Sequence, residues 1–241
     1  MTPPGSEPAR PGPGPAGSSP CGPAPATPGP AGLSPSEPGP PASGPAGSSS
    51  PGPEPPPAAA TLRLFVALEL PAPAVDALTR FRDAAADPDV WRPVPTQSLH
   101  LTLAFLGRRP ATDVPAIEGV LHAAAGPAPR LALAGALLLP PRRARVLCAA
   151  LDDLDGTLVD LQARVSDGLA AAGVYTPEKR PYRAHATVAR LRPRARAPRS
   201  IDTAPEPLEF AGEALTLFES RLHPHGARYE PLLRLILAPD A

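Results

Sequence analysis

Two short stretches carry residue types suited to proton transfer beside a phosphate: His100-Leu101-Thr102-Leu103 and His185-Ala186-Thr187-Val188. Each lies in a run that alternates in the manner of a half-buried strand. In a strand, residues i and i+2 share a face and lie roughly 7 Å apart. Each stretch therefore presents one histidine and one threonine side by side. Leu101, Leu103 and Phe105, like Ala186 and Val188, are left to point the other way into a core. If the two strands neighbour each other, two imidazoles and two hydroxyls line one groove. Histidine titrates near neutrality, so a pair can serve as acid and base at once. Threonine hydroxyls donate hydrogen bonds to phosphate oxygens, and β-branching limits their wandering. The set suits in-line cleavage of a phosphoester, with no call for a carboxylate cluster, a glycine-rich phosphate loop or a metal. A single H-x-T-x arises often by chance. Two of them, in a chain with five histidines, are a much stronger signal.

The other chemistry-bearing residues weigh less. His223 and His225 make an H-x-H pair with no third ligand at fitting spacing, so an exposed loop is expected there and no metal. His122 falls in a predicted helix and reads as structural. Cys148 sits in an apolar strand and reads as a small buried hydrophobe. Phe105 and Tyr182 read as core, with base stacking the lesser role. Arg142, Arg143, Arg145 and the Arg192–Arg199 stretch fit the flank of a groove that attracts RNA. Lys179 is the only lysine in the chain, so GC-rich codon bias explains these arginines almost equally well.

Positioning those side chains requires the following elements. Leu62–Leu68, Leu99–Leu106, Arg130–Leu139, Arg145–Leu151 and Ala184–Leu191 read as strands, followed by strands near Leu208–Ala211, Ala214–Arg221 and Tyr229–Leu237. Helices are predicted from Pro71 to about Ala85, over Asp113–Ala125 and over Asp153–Ala172. The last carries Leu154, Leu158, Leu161, Val165 and Leu169 at three- and four-residue intervals, with Gly173 just beyond its end. Trp91 falls in a proline-containing connection. Short links between strands favour antiparallel pairing, so the expected fold is α+β with helices on the outer faces.

These elements all lie in residues 61–241. Residues 1–60 hold 21 of the 41 prolines and 11 of the 20 glycines, with almost nothing to bury, and are expected to be a disordered tail. Twenty-three basic side chains balance 23 acidic ones, which argues against a strongly basic nucleic-acid coat. The longest apolar run, near Leu131–Leu139, is far short of the ~20 residues that span a bilayer. Cys21 and Cys148 cannot build a disulfide framework of the secreted kind, which points to the cytoplasm.

Paired H-x-T-x motifs resemble those of the 2H phosphoesterase superfamily. The flanks resemble its RNA 2′,3′-cyclic phosphodiesterase branch, also named 2′–5′ RNA ligase. In order, they are the strand LRLFVAL, Trp91 and Pro95 ahead of SLHLTLAFLG, the 153–172 helix with its glycine, PYRAHATVAR, and LFESRL followed by Gly226-Ala-Arg-Tyr229. The second motif is often preceded by proline in that family, where this chain has Ala184. The resemblance implies a bilobal, pseudo-symmetric fold of antiparallel sheets with outer helices and a central groove, one motif from each lobe. It implies hydrolysis of RNA 2′,3′-cyclic phosphate ends to 2′-phosphates, with reversible 2′–5′ ligation as a side activity and no cofactor. His100 is the expected proton donor and His185 the proton acceptor, with Thr102 and Thr187 on the phosphate. Arg190 matches an arginine of the family's second motif. Strict alternation gives it the opposite parity from His185, so a local twist must turn it toward substrate. The expected partner is RNA with a cyclic phosphate end, tRNA-derived ends included, met by a monomer. Competing readings are a small cyclic nucleotide or ADP-ribose cyclic phosphate as substrate, RNA binding without turnover, and a proline-rich adaptor acting through the tail.

Overall fold

Nine strands and three helices follow one another in the computed structural model, which describes residues 60–223 and 226–238. The strands are β1 (Thr61–Glu69), β2 (Trp91–Pro93), β3 (Leu101–Pro110), β4 (Arg130–Leu139), β5 (Val146–Asp153), β6 (His185–Leu191), β7 (Glu209–Ala211), β8 (Ala214–His223) and β9 (Gly226–Ile236). The helices are α1 (Ala72–Ala85), α2 (Val114–Ala124) and α3 (Thr157–Ala171). The proline-rich segment read as a tail lies, apart from Ala60, outside the described residues.

All strands join one sheet in the order β7-β4-β5-β6-β3-β1-β8-β9, with β2 on β6. Every pairing between named strands is antiparallel, as the short connections predict. The order is symmetric about its middle. β1-α1-β3 and β5-α3-β6 are equivalent strand-helix-strand units, each ending in a strand that opens with one motif. The two motif strands, β3 and β6, pair at a single position, Leu101 with Ala186. Beyond it β3 and β6 diverge, and β2 takes the vacated edge of β6 through Trp91↔Leu191, Arg92↔Arg190 and Pro93↔Ala189. Fully buried Trp91 anchors that short strand. The prolines around it hide its strand character in the sequence.

Each helix buries one stripe: Ala74, Ala77, Leu78 and Phe81 in α1, Ile117, Leu121 and Ala124 in α2, and Leu158, Leu161, Val165 and Leu169 in α3. α1 packs against β6, whereas α3 packs against β3 as well as β4 and β5. The helices thus reach across the seam, and one continuous core serves both halves. Burying a leucine side chain in it contributes roughly 1.5–3 kcal/mol.

α3 starts later than its apolar repeat suggests. Asp153 ends β5, and its carboxylate accepts the Gly156 and Val159 N–H groups at 3.1 and 2.9 Å. That folds residues 153–156 into a turn, with Gly156 at φ 82°. Leu154, in phase with the repeat, is consequently exposed. The C-terminus ends as expected. Gly173, at φ 70°, donates to the Ala170 carbonyl, and Val174 donates to that of Leu169.

Candidate active site

The first motif enters β3 from a tightly held loop. Val94 N–H donates to the Val188 carbonyl at 2.8 Å, and the Arg82 guanidinium of α1 donates to the Val94 carbonyl at 2.7 Å. A turn at Thr96–Ser98 then presents the Ser98 carbonyl to His100 Nδ1 at 2.9 Å. A carbonyl only accepts, so Nδ1 carries the proton and Nε2 is left with its lone pair. The second motif repeats this device: His185 Nδ1 donates to the Arg183 carbonyl at 2.7 Å. In both motifs the fixing carbonyl belongs to the residue two before the histidine. Antiparallel continuation of the Leu101↔Ala186 pair sets His100 toward Thr187 and His185 toward Thr102.

His100, Thr102, His185, Thr187 and Arg190 line one pocket with Val94, Ser98 and Tyr229. All five residues singled out in the sequence therefore meet. The pocket, about 40 Å³, holds a compact anionic group but cannot enclose a nucleoside, whose remainder must lie along the open groove. Thr102 Oγ1 is 3.2 Å from His100 Nε2 and donates to it while the imidazole is neutral. Tyr182, ahead of β6, donates its hydroxyl proton to the Thr102 carbonyl at 3.1 Å, tying the two motifs together. Its phenol is buried and pushed up in pKa by that burial. Tyr182 thus braces the two motifs through its hydroxyl.

Arg190 reaches the pocket because β6 carries a bulge. Leu147 pairs with Ala189 but Cys148 pairs with Thr187, leaving Val188 as an extra residue. Val188 and Ala189 are both buried, so the alternation resets and Arg190 shares the face of His185 and Thr187. β3 repeats the bulge. Val66 pairs with Ala104 and Ala67 with Thr102, so Leu103 is extra, and Leu103 and Ala104 are both buried. This overturns the expected core position of Phe105, which emerges 46% exposed with the Arg63 guanidinium 4.9 Å above its ring. By its place after the bulge, Phe105 is the counterpart of Arg190 in the other half.

Around His100 stand Phe65, Tyr229 and Phe218, with ring centroids 5.0, 5.3 and 6.2 Å away. Burial in this setting, with lesser help from the charges of Arg190 and His185, pushes His100 down to about 4 against the opposing pull of the Ser98 carbonyl. His100 is therefore neutral at pH 7 when no anion is bound. Cys148 is fully buried beside Thr187, Sγ to Oγ1 3.6 Å, and burial pushes its thiol up to about 11, which makes it inert. Tyr229 and Ser98 are the site residues that spacing alone did not single out. Tyr229 stood only within the Gly226–Tyr229 resemblance. His223 lies exposed at the end of β8, paired with Gly226, and His225 is outside the described residues. No group of three metal-ligating side chains occurs among the described residues.

The arrangement offers two imidazole Nε2 atoms, two hydroxyls and one guanidinium around a space for a phosphate-sized anion. Comparison with known proteins agrees with that chemistry. The family described as the 2′-5′ RNA ligase superfamily matches residues 70–224. The RNA 2′,3′-cyclic phosphodiesterase of Thermus thermophilus is 34% identical over 186 residues, covering 73% of this chain and 90% of that protein. Its Escherichia coli namesake is 31% identical over 180 residues, covering 73% and 96%. Among solved structures, TT0787 of Thermus thermophilus aligns at a TM-score of 0.65 and 30% identity, covering 75% of this chain and 100% of that one. Escherichia coli LigT complexed with ATP aligns at 0.63 and 27%, covering 74% and 99%. No helix among the described residues is long and apolar enough to cross a membrane. The paired motifs, the symmetric sheet that brings them together and these matches lead to one assignment: the chain belongs to the 2′-5′ RNA ligase superfamily of 2H phosphoesterases.

Proposed function

We propose that this protein is an RNA 2′,3′-cyclic phosphodiesterase that opens cyclic phosphate ends to 2′-phosphates by two-histidine acid-base catalysis. The observation that carries this reading is the matched pair of imidazoles at one pocket, each fixed through Nδ1 so that Nε2 is the nitrogen left for proton transfer. The activity named for the Thermus thermophilus and Escherichia coli relatives agrees with it. The cyclic phosphate sits among Thr102, Thr187 and Arg190, whose hydroxyl and guanidinium protons meet the charge building on its oxygens. His185 Nε2 takes a proton from water as the water oxygen bonds to phosphorus. The bond from phosphorus to the ribose 3′ oxygen breaks, and His100 gives that oxygen a proton. The products are a 2′-phosphomonoester and a 3′-hydroxyl. A proton lost from His185 and one regained by His100 reset the pair. Both proton transfers are thus supplied by side chains, and the scheme needs no metal.

The division of roles rests on exposure. The Nδ1 bond of His185 lies in exposed surroundings, while that of His100 is half-buried beside the aromatic rings. Neutral His100 acquires its proton with the substrate, because a bound phosphate anion opposes both the burial cost and the repulsion from Arg190. Once Nε2 is protonated, the Thr102 hydroxyl is released to donate to phosphate instead. In this reading the enzyme is a monomer, which one chain's supply of every group of the site supports, acting in the cytoplasm on RNA ends, tRNA fragments among them. With a 5′-hydroxyl in place of water, the same steps in the same direction make a 2′–5′ linkage, and their reverse cleaves it.

The test is incubation of the full chain with an RNA oligonucleotide ending in a 2′,3′-cyclic phosphate, in excess EDTA. Wild type should yield the 2′-phosphate, and His100→Ala and His185→Ala should each lose about 10²–10⁴-fold in rate. More than about a tenth of wild-type activity in either variant overturns the scheme.

A further inference from the structure

A second cavity, about 590 Å³, opens between the β4–β5 hairpin loop and the connection from β6 to β7. Six arginines line it: Arg142, Arg143 and Arg145 from the first, Arg194, Arg196 and Arg199 from the second. No carboxylate lines it. Among the described residues none of the six forms an ion pair. Codon bias explains why these residues are arginines and not lysines. It does not explain why six unneutralised charges converge on one basin, where they repel one another and concentrate positive potential. Arg194 is also held at φ 68°, a left-handed conformation that glycine or asparagine would adopt at lower cost. The loops are fixed rather than free. Leu191 N–H donates to the Arg145 carbonyl at 2.8 Å, and Arg192 Nε donates to the Pro88 carbonyl at 2.6 Å.

Position gives the basin its meaning. Arg190 lines the dyad pocket and Leu191, the next residue along β6, lines the basin. Successive strand residues face opposite ways, so the two cavities meet around the C-terminal end of β6 and not along one of its faces. The dyad pocket accepts a phosphate and little else, so a longer substrate must run out of it over neighbouring surface. Guanidinium forks match phosphate oxygens and carry no base preference. We propose that this arginine basin holds the phosphodiester backbone of the nucleotides preceding the cyclic end, so that the enzyme selects a strand over a mononucleotide. The proposal rests on the RNA-end reading and adds to it a second, sequence-independent phosphate site.

Two double variants, Arg142→Gln/Arg143→Gln and Arg194→Gln/Arg196→Gln, probe the two walls separately in the full chain. The first readout is binding of a fluorescent single-stranded RNA with a plain 3′-hydroxyl end, titrated at several salt concentrations. Each phosphate contact removed should lower the slope of log affinity against log salt by about 0.7, hence by about 1.4 for a double variant. The second is the ratio of kcat/KM for a cyclic-ended oligonucleotide to that for a nucleoside 2′,3′-cyclic phosphate, which should fall at least ~10-fold. An unchanged salt slope in both variants, or an unchanged ratio, overturns the proposal. If wild type opens neither substrate yet the slopes change as stated, the hydrolytic reading fails while the basin stands as an RNA site. If wild type opens both and the slopes do not change, only the basin fails.

Discussion

His100 sits in surroundings that give its proton two consequences. In catalysis, the acid is dispensable when the leaving group needs no proton. His100→Ala should therefore lose at least ~10-fold less activity on an aryl phosphodiester with a nitrophenolate leaving group than on the cyclic phosphate, while His185→Ala loses equally on both. The opposite pattern would exchange the two roles. In stability, the folded protein holds His100 near 4 while the unfolded chain titrates near 6.5. Between those values the unfolded state binds the extra proton. Acid then favours unfolding, with a slope approaching ~1.4 kcal/mol per pH unit, and the loss is complete below about pH 4. Urea melts from pH 7 to 4 should show this slope in wild type and a flatter one in His100→Asn. At this scale the sequence was largely legible. Spacing alone put each histidine beside its threonine, since i and i+2 share a strand face. Arg190 was legible only as a contradiction, a residue of the right type on the wrong parity. Tyr229 comes from β9, far along the chain, and no local pattern tied it to His100.

The bulges at Leu103 and Val188 resolve the contradiction at the level of elements. A bulge adds one residue to one strand of a pair, and apolar residues on both sides of it read like ordinary strand. Hence the pattern assigned Phe105 to the core when the bulge turns it out to the surface beneath Arg63. Similar reasons hid β2, whose three residues include Pro93, and shifted the start of α3, where the Asp153 cap outcompetes the apolar phase of Leu154. Strand and helix existence was otherwise clear, because most elements keep an apolar face on either side of any bulge. α2 and α3 depend on a close approach that the sequence marks only by a glycine within a helix. A Cβ built on Gly168 would stand 2.6 Å from Val120 Cγ1. Gly168→Ala should therefore destabilise the fold by about 1–3 kcal/mol, despite the ~1 kcal/mol that alanine gains in helix propensity. Chemical denaturation checks this, and a more stable variant would show that α2 can shift without cost.

Over the whole molecule the backbone ladder and the core divide their labour unequally. One residue pair joins β3 to β6, yet the two imidazoles must hold a fixed separation across that join. The separation is kept by α1 lying on β6 and α3 lying on β3, each helix belonging to one repeat and packed on the motif strand of the other. Trimming a buried side chain of α1 should thus be felt at the groove. Leu78→Val, at a cost of about 1 kcal/mol, should lower kcat several-fold at temperatures where the protein is still fully folded. A kcat that tracks only the folded fraction would argue against it. The seam also makes the molecule a pair of tongs. Its jaws are the two half-sheets, its pivot is Leu101–Ala186 with β2 and Tyr182 pinned beside it, and its spring is the crossed helices behind them. Grip on the substrate is then a mechanical property of the core. A molecule that wedged itself between α1 and β6 would slacken the jaws without ever touching a histidine.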